Sequence, residues 1–234
     1  MRKNRIKAKV WFQRNTERNT ERETQNIEQP GAVRRLRRGN LWRWLVAILL
    51  VVVLTGCSRG HRFHGTLYDP PRPAPAIPGV NWDGQRFDLA ELQGKVVLIF
   101  FGFTYCPDAC PLTLAELRQL HSDLGEQADD VAVVFVSTDP ERDTPERLGQ
   151  YVSLFDPTFY GVHVTPADLP AVKQAYGVFS EKNTSVAANS PDGYLIDHSG
   201  YIYVIDKTGA LRMAFGYSLP KDGLLADVQY LLAS

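Results

Sequence analysis

The chain has 234 residues, enough for one or two domains, and its 26 Lys/Arg offset its 26 Asp/Glu. The balance conceals two unlike parts: residues 1–56 carry thirteen Lys/Arg against four Asp/Glu, and residues 57–234 carry thirteen against twenty-two. A sequence so divided joins segments of different physical purpose, and the acidic C-terminal part argues against binding nucleic acid through a broad basic surface.

The first segment, residues 1–56, reads as a leader. Arg34, Arg35, Arg37, Arg38 and Arg43 precede an unbroken apolar run, Trp44 to Leu54. As a helix that run would span about 17 Å, short of the ~30 Å hydrocarbon core of a bilayer. Basic residues, a short apolar run and then small residues describe a secretory signal. The run closes on Leu54-Thr55-Gly56-Cys57, which resembles the bacterial lipoprotein signal, in which the Cys is acylated and becomes the mature N-terminus. The alternative is a short uncleaved anchor with an ordinary Cys57. The lipoprotein reading places the rest of the chain in the bacterial cell envelope, lipid-anchored on the extracytoplasmic (periplasmic) side. Residues 1–32 are polar and mixed in charge, unlike a compact basic start. Either translation starts near residue 33, at Val33 or Leu36, or the leader is long and cytoplasmic, or disordered.

Residues 57–79 read as the lipidated Cys and a tether. Five prolines between Tyr68 and Pro78 favour stiff, extended backbone that holds a domain off the membrane. His61 and His64 lie in this stretch and read as solvated linker residues rather than auxiliary metal ligands.

The folded domain is expected over residues 80–234. Val96 to Phe101 is a continuous apolar, β-branched and aromatic run, the signature of a strand buried on both faces. Leu114, Leu117, His121 and Leu124 recur at helical spacing over residues 112–124. Val131 to Val136 predicts a second buried strand. Asp143-Thr144-Pro145-Glu146 predicts a helix start, with the acid at the cap and Pro in the first turn. Residues 160–164 read as a short strand, 166–176 as a helix and 178–193 as a loop. Strands at Ile202–Ile205 and Leu211–Phe215 flank the hairpin signal Lys207-Thr208-Gly209, and an amphipathic helix over 219–232 closes the chain. This alternation predicts an α/β fold: a central mixed sheet flanked by helices, with a C-terminal hairpin and helix.

The chemistry concentrates where the first buried strand meets the first helix. Three cysteines leave one unpaired, and acylation of Cys57 would leave Cys106 and Cys110 as a single pair. Two cysteines four apart at a helix start share a face, with Cα atoms about 6 Å apart, which permits a disulfide or chelation of one ion. The helix N-terminus favours thiolate over thiol. Two thiolates are soft ligands suited to Cu(I), with Zn²⁺ the usual competitor, and spacing alone does not choose between them or supply a third ligand.

The run Phe101-Gly102-Phe103-Thr104-Tyr105-Cys106-Pro107-Asp108-Ala109-Cys110-Pro111 resembles the Sco/SenC family of copper proteins. The resemblance extends through Phe135–Glu146, with Ser137-Thr138-Asp139-Pro140 at its centre, and recurs in Tyr194-Leu195-Ile196-Asp197-His198-Ser199. It implies a thioredoxin-like fold binding one copper ion per chain, as Cu(I) and in some states Cu(II), through Cys106, Cys110 and His198. It further implies delivery of copper to, or reduction of the cysteines in, the dinuclear copper centre of cytochrome c oxidase. The implied partners are the oxidase subunit bearing that centre, other copper chaperones and thiol reductants. Tyr105 departs from the family, many members of which carry His before the first Cys.

Several residues keep two readings. Asp197 either orients the His198 imidazole or is a surface acid at a strand start. Asp108 either tunes the thiols or stabilises the helix N-terminus. The acids from Asp139 to Glu146 form a docking surface or simply cap a helix. His121 and His163 read as structural. The same cysteine pair serves a metallochaperone or a thiol–disulfide reductase. A thiol peroxidase fits poorly, because Thr104 stands two residues, not three, before Cys106.

Overall fold

Residues 61–185, 193–216 and 221–234, with Val46, are described by the computed structural model. Two buried strands run side by side through the centre, β4 (Val96–Gly102) and β5 (Val131–Ser137), paired in parallel from Val96 opposite Val131 to Gly102 opposite Ser137. Both are buried along their whole length, as their unbroken apolar runs require. Around them stand β1 (Thr66–Pro73), β2 (Gly79–Val80), β3 (Arg86–Phe87), β6 (Tyr160–Val164), β9 (Ile202–Ile205) and β10 (Ala210–Phe215). The sheet order is β1-β10-β9-β4-β5-β6-β2-β3. β6 joins β5 in parallel, whereas β9 joins β4, and β10 joins β9, antiparallel. The sheet is therefore mixed, as expected.

Strand alternation assigns the two faces. Val96, Leu98 and Phe100 pack with α1 (Ala109–Leu124), α2 (Pro145–Ser153) and α4 (Lys221–Ala233), through Leu114, Leu117, Leu148, Val152, Leu224 and Val228. Val97, Ile99 and Phe101 face the other way, toward α3 (Leu169–Tyr176) and its Val172 and Tyr176. Each such buried side chain contributes about 1.5–3 kcal/mol relative to exposure, so this two-layer core fixes where β4 ends and α1 begins.

Three expectations are corrected. The compact unit extends from Gly60 to Ser234, and the Pro-rich stretch expected as a tether contains β1, an edge strand paired with β10. Its prolines are compatible with this because an edge strand has backbone groups outside the ladder. The loop expected over 178–193 contains β7 (Ser180–Asn183), whose polar sequence shows no apolar alternation and is ordered by pairing with β8 (Leu195–His198). The α2 cap is Thr144 rather than Asp143: the Thr144 side chain accepts from the Arg147 amide, while Asp143 is drawn inward. Cys57 and, apart from Val46, the apolar run lie outside the described residues. Among the described residues, no helix is long and apolar enough to cross a membrane.

Candidate metal centre

The C-terminal end of β4 delivers the chain into a turn closed by the Cys106 amide donating to the Phe103 carbonyl at 3.2 Å, and α1 starts at Ala109. Cys110, in the first turn of α1, is fully buried, and Cys106 is half-buried just outside it. Gly102 makes room for this pair: a Cβ there would stand 2.7 Å from the Cys110 sulfur and from the Phe135 ring. The Cys110 amide donates to the Cys106 sulfur at 3.3 Å. Cys106 thus takes an orphan donor of the helix start, the part played elsewhere by an N-cap oxygen. Asp108, at the cap position, makes no side-chain cap bond and is exposed.

His198 arrives from the other end of the chain, at the end of β8, opposite Ser180 of β7. Its ring meets the edges of Phe100 and Phe103, with centroids 6.2 and 5.7 Å away. His198 Nδ1 donates to the Ser199 carbonyl at 3.2 Å, and Nε2 stands 3.4 Å from the Cys110 sulfur. A carbonyl only accepts, so Nδ1 holds a proton and Nε2 is the nitrogen turned to the sulfurs. The donor atoms of Cys106, Cys110 and His198 all lie within 4.8 Å of one another.

The two thiols are electrostatically unequal. The Cys110 side chain, hydrogen-bonded to the Cys106 sulfur, lowers the Cys106 pKa to about 4 against the opposing effect of burial, with His198 and the Cys110 and Asp108 amides acting in the same direction. Cys110 is pushed well above the ordinary thiol range, first by donating that bond, then by burial and by the Cys106 charge. Cys106 is the sulfur that loses its proton first, and the proton that remains is held by Cys110 and shared with the Cys106 thiolate.

Around the pair lies a frame that motif reading did not single out. Arg142 stacks over Tyr194 at 3.7 Å and Tyr105 at 4.6 Å from their centroids, and Arg147 sits 4.3 Å over the same Tyr105 ring. Asp139 pairs with Arg142 and accepts from the Tyr194 hydroxyl at 2.9 Å. Tyr105, adjacent to Cys106, is thereby tied to the turn after β5 and to the approach to β8. Below it, buried Asp143 accepts from the Thr104 amide and hydroxyl at 3.0 and 2.6 Å and from the Ser137 hydroxyl at 2.7 Å. Burial raises its pKa, and the Thr104 and Ser137 bonds oppose that shift. The signal available in sequence was Arg142 set among acids in Asp139-Pro140-Glu141-Arg142-Asp143, with nothing local to link that run to Tyr105, 34 positions before its start.

These contacts decide the readings left open. Asp139 and Asp143 are spent inside the protein, so the docking surface expected over Asp139–Glu146 loses both. Asp197 does not orient the imidazole: β8 alternation turns it outward, where it accepts from Asn183 at 2.9 Å, and the Ser199 carbonyl holds the ring instead. His121 bonds the Ala128 carbonyl at 3.1 Å, and His163 the Asp143 carbonyl at 2.8 Å, as structural histidines do. His61 and His64 are not solvated linker residues; both contact Asp227 of α4.

The sequence model described as SCO1/SenC matches residues 78–233. The chain belongs to the SCO1/SenC family. An SCO2-like protein of Rickettsia prowazekii is 36% identical over 136 residues, covering 58% of this chain and 65% of that relative. Among solved structures, apo Sco1 of Thermus thermophilus superposes with a TM-score of 0.64 at 35% identity, covering 75% of this chain and all of that one. ScoI of Bradyrhizobium japonicum with copper bound gives a TM-score of 0.60 at 34% identity, covering 68% of this chain and 99% of that one. The fold is the thioredoxin-like fold of these Sco proteins, and copper-bound members occur among them.

Proposed function

We propose that this Sco/SenC protein is a copper metallochaperone that holds one copper ion through Cys106, Cys110 and His198 and passes it to the dinuclear copper centre of cytochrome c oxidase. The observation that carries the reading is the convergence, within 4.8 Å, of two sulfurs and one imidazole nitrogen from opposite ends of the domain. That donor set suits copper: the thiolates match Cu(I), and the imidazole extends the match to Cu(II). The room left by the missing Gly102 side chain seats the Cys110 sulfur beside the Phe135 ring. Half-exposed Cys106 gives an acceptor's thiolate a place to begin ligand exchange. The reduced chain, free of oxygen, is expected to take up one Cu(I) and surrender it to the copper-free oxidase domain, followed by metal analysis after the two are separated. Copper that stays on this chain in the presence of the competent acceptor would overturn the transfer reading.

A thiol–disulfide reductase is the second reading, favoured by the inequality of the two thiols. The Cys106 thiolate would attack one sulfur of a partner disulfide and release the other as thiolate. Cys110 would then lose its proton, attack Cys106 and free the second partner thiol, leaving a Cys106–Cys110 disulfide. A low-pKa, half-exposed attacking sulfur and a buried resolving sulfur fit that sequence.

The Leu54-Thr55-Gly56-Cys57 signal supports a lipid anchor at Cys57, with the domain on the periplasmic side. Cys57→Ser is expected to leave an unprocessed precursor without lipid, seen by mass spectrometry of membrane extracts. A wild-type protein that starts at Met1 and carries no lipid would overturn the anchor.

A further inference from the structure

Asp227 lies on α4 among Leu224, Val228 and Leu231, and its side chain has no solvent exposure. A carboxylate so placed is costly unless its oxygens are satisfied. Its Oδ2 accepts from the backbone amides of His64 at 2.8 Å and Gly65 at 3.2 Å. Those two bonds fix the carboxylate and turn Oδ1 toward two imidazoles, His61 Nε2 at 2.7 Å and His64 Nδ1 at 3.1 Å. The His61 ring is held by stacking on Tyr230, with centroids 4.3 Å apart and planes 9° from parallel, and by the Phe63 edge. Gly223, one turn before Asp227, leaves the room His64 occupies; a Cβ there would stand 2.8 Å from the His64 Cβ and Cγ. The three donor atoms lie within 4.8 Å of one another, and none belongs to the cysteine centre.

We infer that His61, His64 and Asp227 form a second metal site, separate from the cysteine centre, for a divalent ion that prefers nitrogen and oxygen ligands, Cu²⁺ or Zn²⁺. Two imidazoles and a carboxylate without thiolate select such ions over Cu(I), and the stability order places Cu²⁺ above Zn²⁺. Three protein ligands leave a position for water or an exchanging ligand. The amides on Oδ2 supply the orienting support that metal-bound carboxylates need.

The proton balance is simple. Without metal, each neutral ring keeps its single proton on the nitrogen facing Oδ1, because the carboxylate only accepts. Ligation through that nitrogen shifts the proton to the other ring nitrogen, and the ion replaces two N–H···O bonds. Ligands on one ion at about 2.0–2.1 Å sit roughly 3.3 Å apart in a tetrahedron, so from 2.7 Å the His61 contact lengthens by roughly 0.6 Å and from 3.1 Å the His64 contact by roughly 0.2 Å. His64, 46% exposed, has room for its share of that adjustment, and His61, 19% exposed, moves along its stack on Tyr230. Binding would clasp residue 61, four positions after Cys57, to the C-terminal helix.

The test uses the full chain with Cys57, Cys106 and Cys110 all replaced by Ser, which removes every thiol and isolates the second site from the first. After equilibration with Cu²⁺, and separately with Zn²⁺, it is expected to retain about one ion per chain. Cu²⁺ should give nitrogen couplings in its electron paramagnetic resonance spectrum. Adding His61→Gln and His64→Gln keeps a hydrogen-bond donor toward Asp227, so the fold is preserved, which circular dichroism checks. That variant should lose affinity at least about tenfold, and saturating ion should raise Tm in the parent alone. No retained ion, or retention and Tm shift that survive both Gln substitutions, overturns the site.

Discussion

Serine at Cys106 or at Cys110 is expected to lower the Cu(I) affinity of the reduced chain by at least about a hundredfold, roughly 2.7 kcal/mol. Serine keeps the size of the side chain and replaces a soft thiolate with a hydroxyl that stays protonated at neutral pH and is a poor Cu(I) ligand. The two positions should differ in pH dependence rather than in size of effect. Cys106, held near pKa 4, is already thiolate at pH 7, whereas Cys110 retains its proton until metal displaces it. Binding at neutral pH should therefore release about one proton from the cysteine pair. The logarithm of the affinity should rise by about one per pH unit there, and more steeply in acid below the Cys106 pKa, where that thiol too must lose its proton. Competition with a Cu(I) chelator across pH measures the slope, and calorimetry in buffers of different ionisation heat counts the proton. A Cys106→Ser, Cys110→Ser double variant that binds Cu(I) like the parent would remove the site from these residues.

How much of this was legible in sequence depends on whether the cause was local. β4, β5 and α1 were legible because burial on both faces writes a continuous apolar run and a helix writes its period. The resemblance singled out Cys106, Cys110 and His198 together, and the fold brings their donor atoms together. Nothing local in the sequence says that Ser180 lies opposite His198, because β7 is ordered by its partner and not by its own Ser-Glu-Lys-Asn. The same holds for β1, whose prolines read as a stiff tether until the β10 edge is there to receive them. Asp143 and Asp227 were hidden for a related reason. An acid reads as surface or cap unless the donors that satisfy it are known, and theirs come from residues 39 and 163 positions away. Asp197 failed oppositely: adjacency to His198 suggested contact, and strand alternation forbids it.

The sharpest separation of the two functions comes from His198→Ala. In the proposed site, copper retention draws on the imidazole as a third ligand, above all for Cu(II). Disulfide exchange needs an accessible thiolate and a resolving thiol within bonding reach, and both remain when the imidazole is removed. The variant is expected to lose copper affinity by about tenfold or more, while Cys106 and Cys110 still oxidise and reduce reversibly. Its thiol chemistry should move modestly, since His198 is a lesser contributor to the Cys106 pKa than the Cys110 bond. The redox potential of the pair, measured against glutathione, reports that directly. Cells carrying the variant then distinguish the roles by whether cytochrome c oxidase acquires its dinuclear copper centre. Loss of that centre, with the fold intact and the potential little changed, is the result expected of a copper carrier. A centre that still assembles with His198→Ala but fails with Cys110→Ser would mean that the thiols act as reductant and that copper reaches the oxidase by another route.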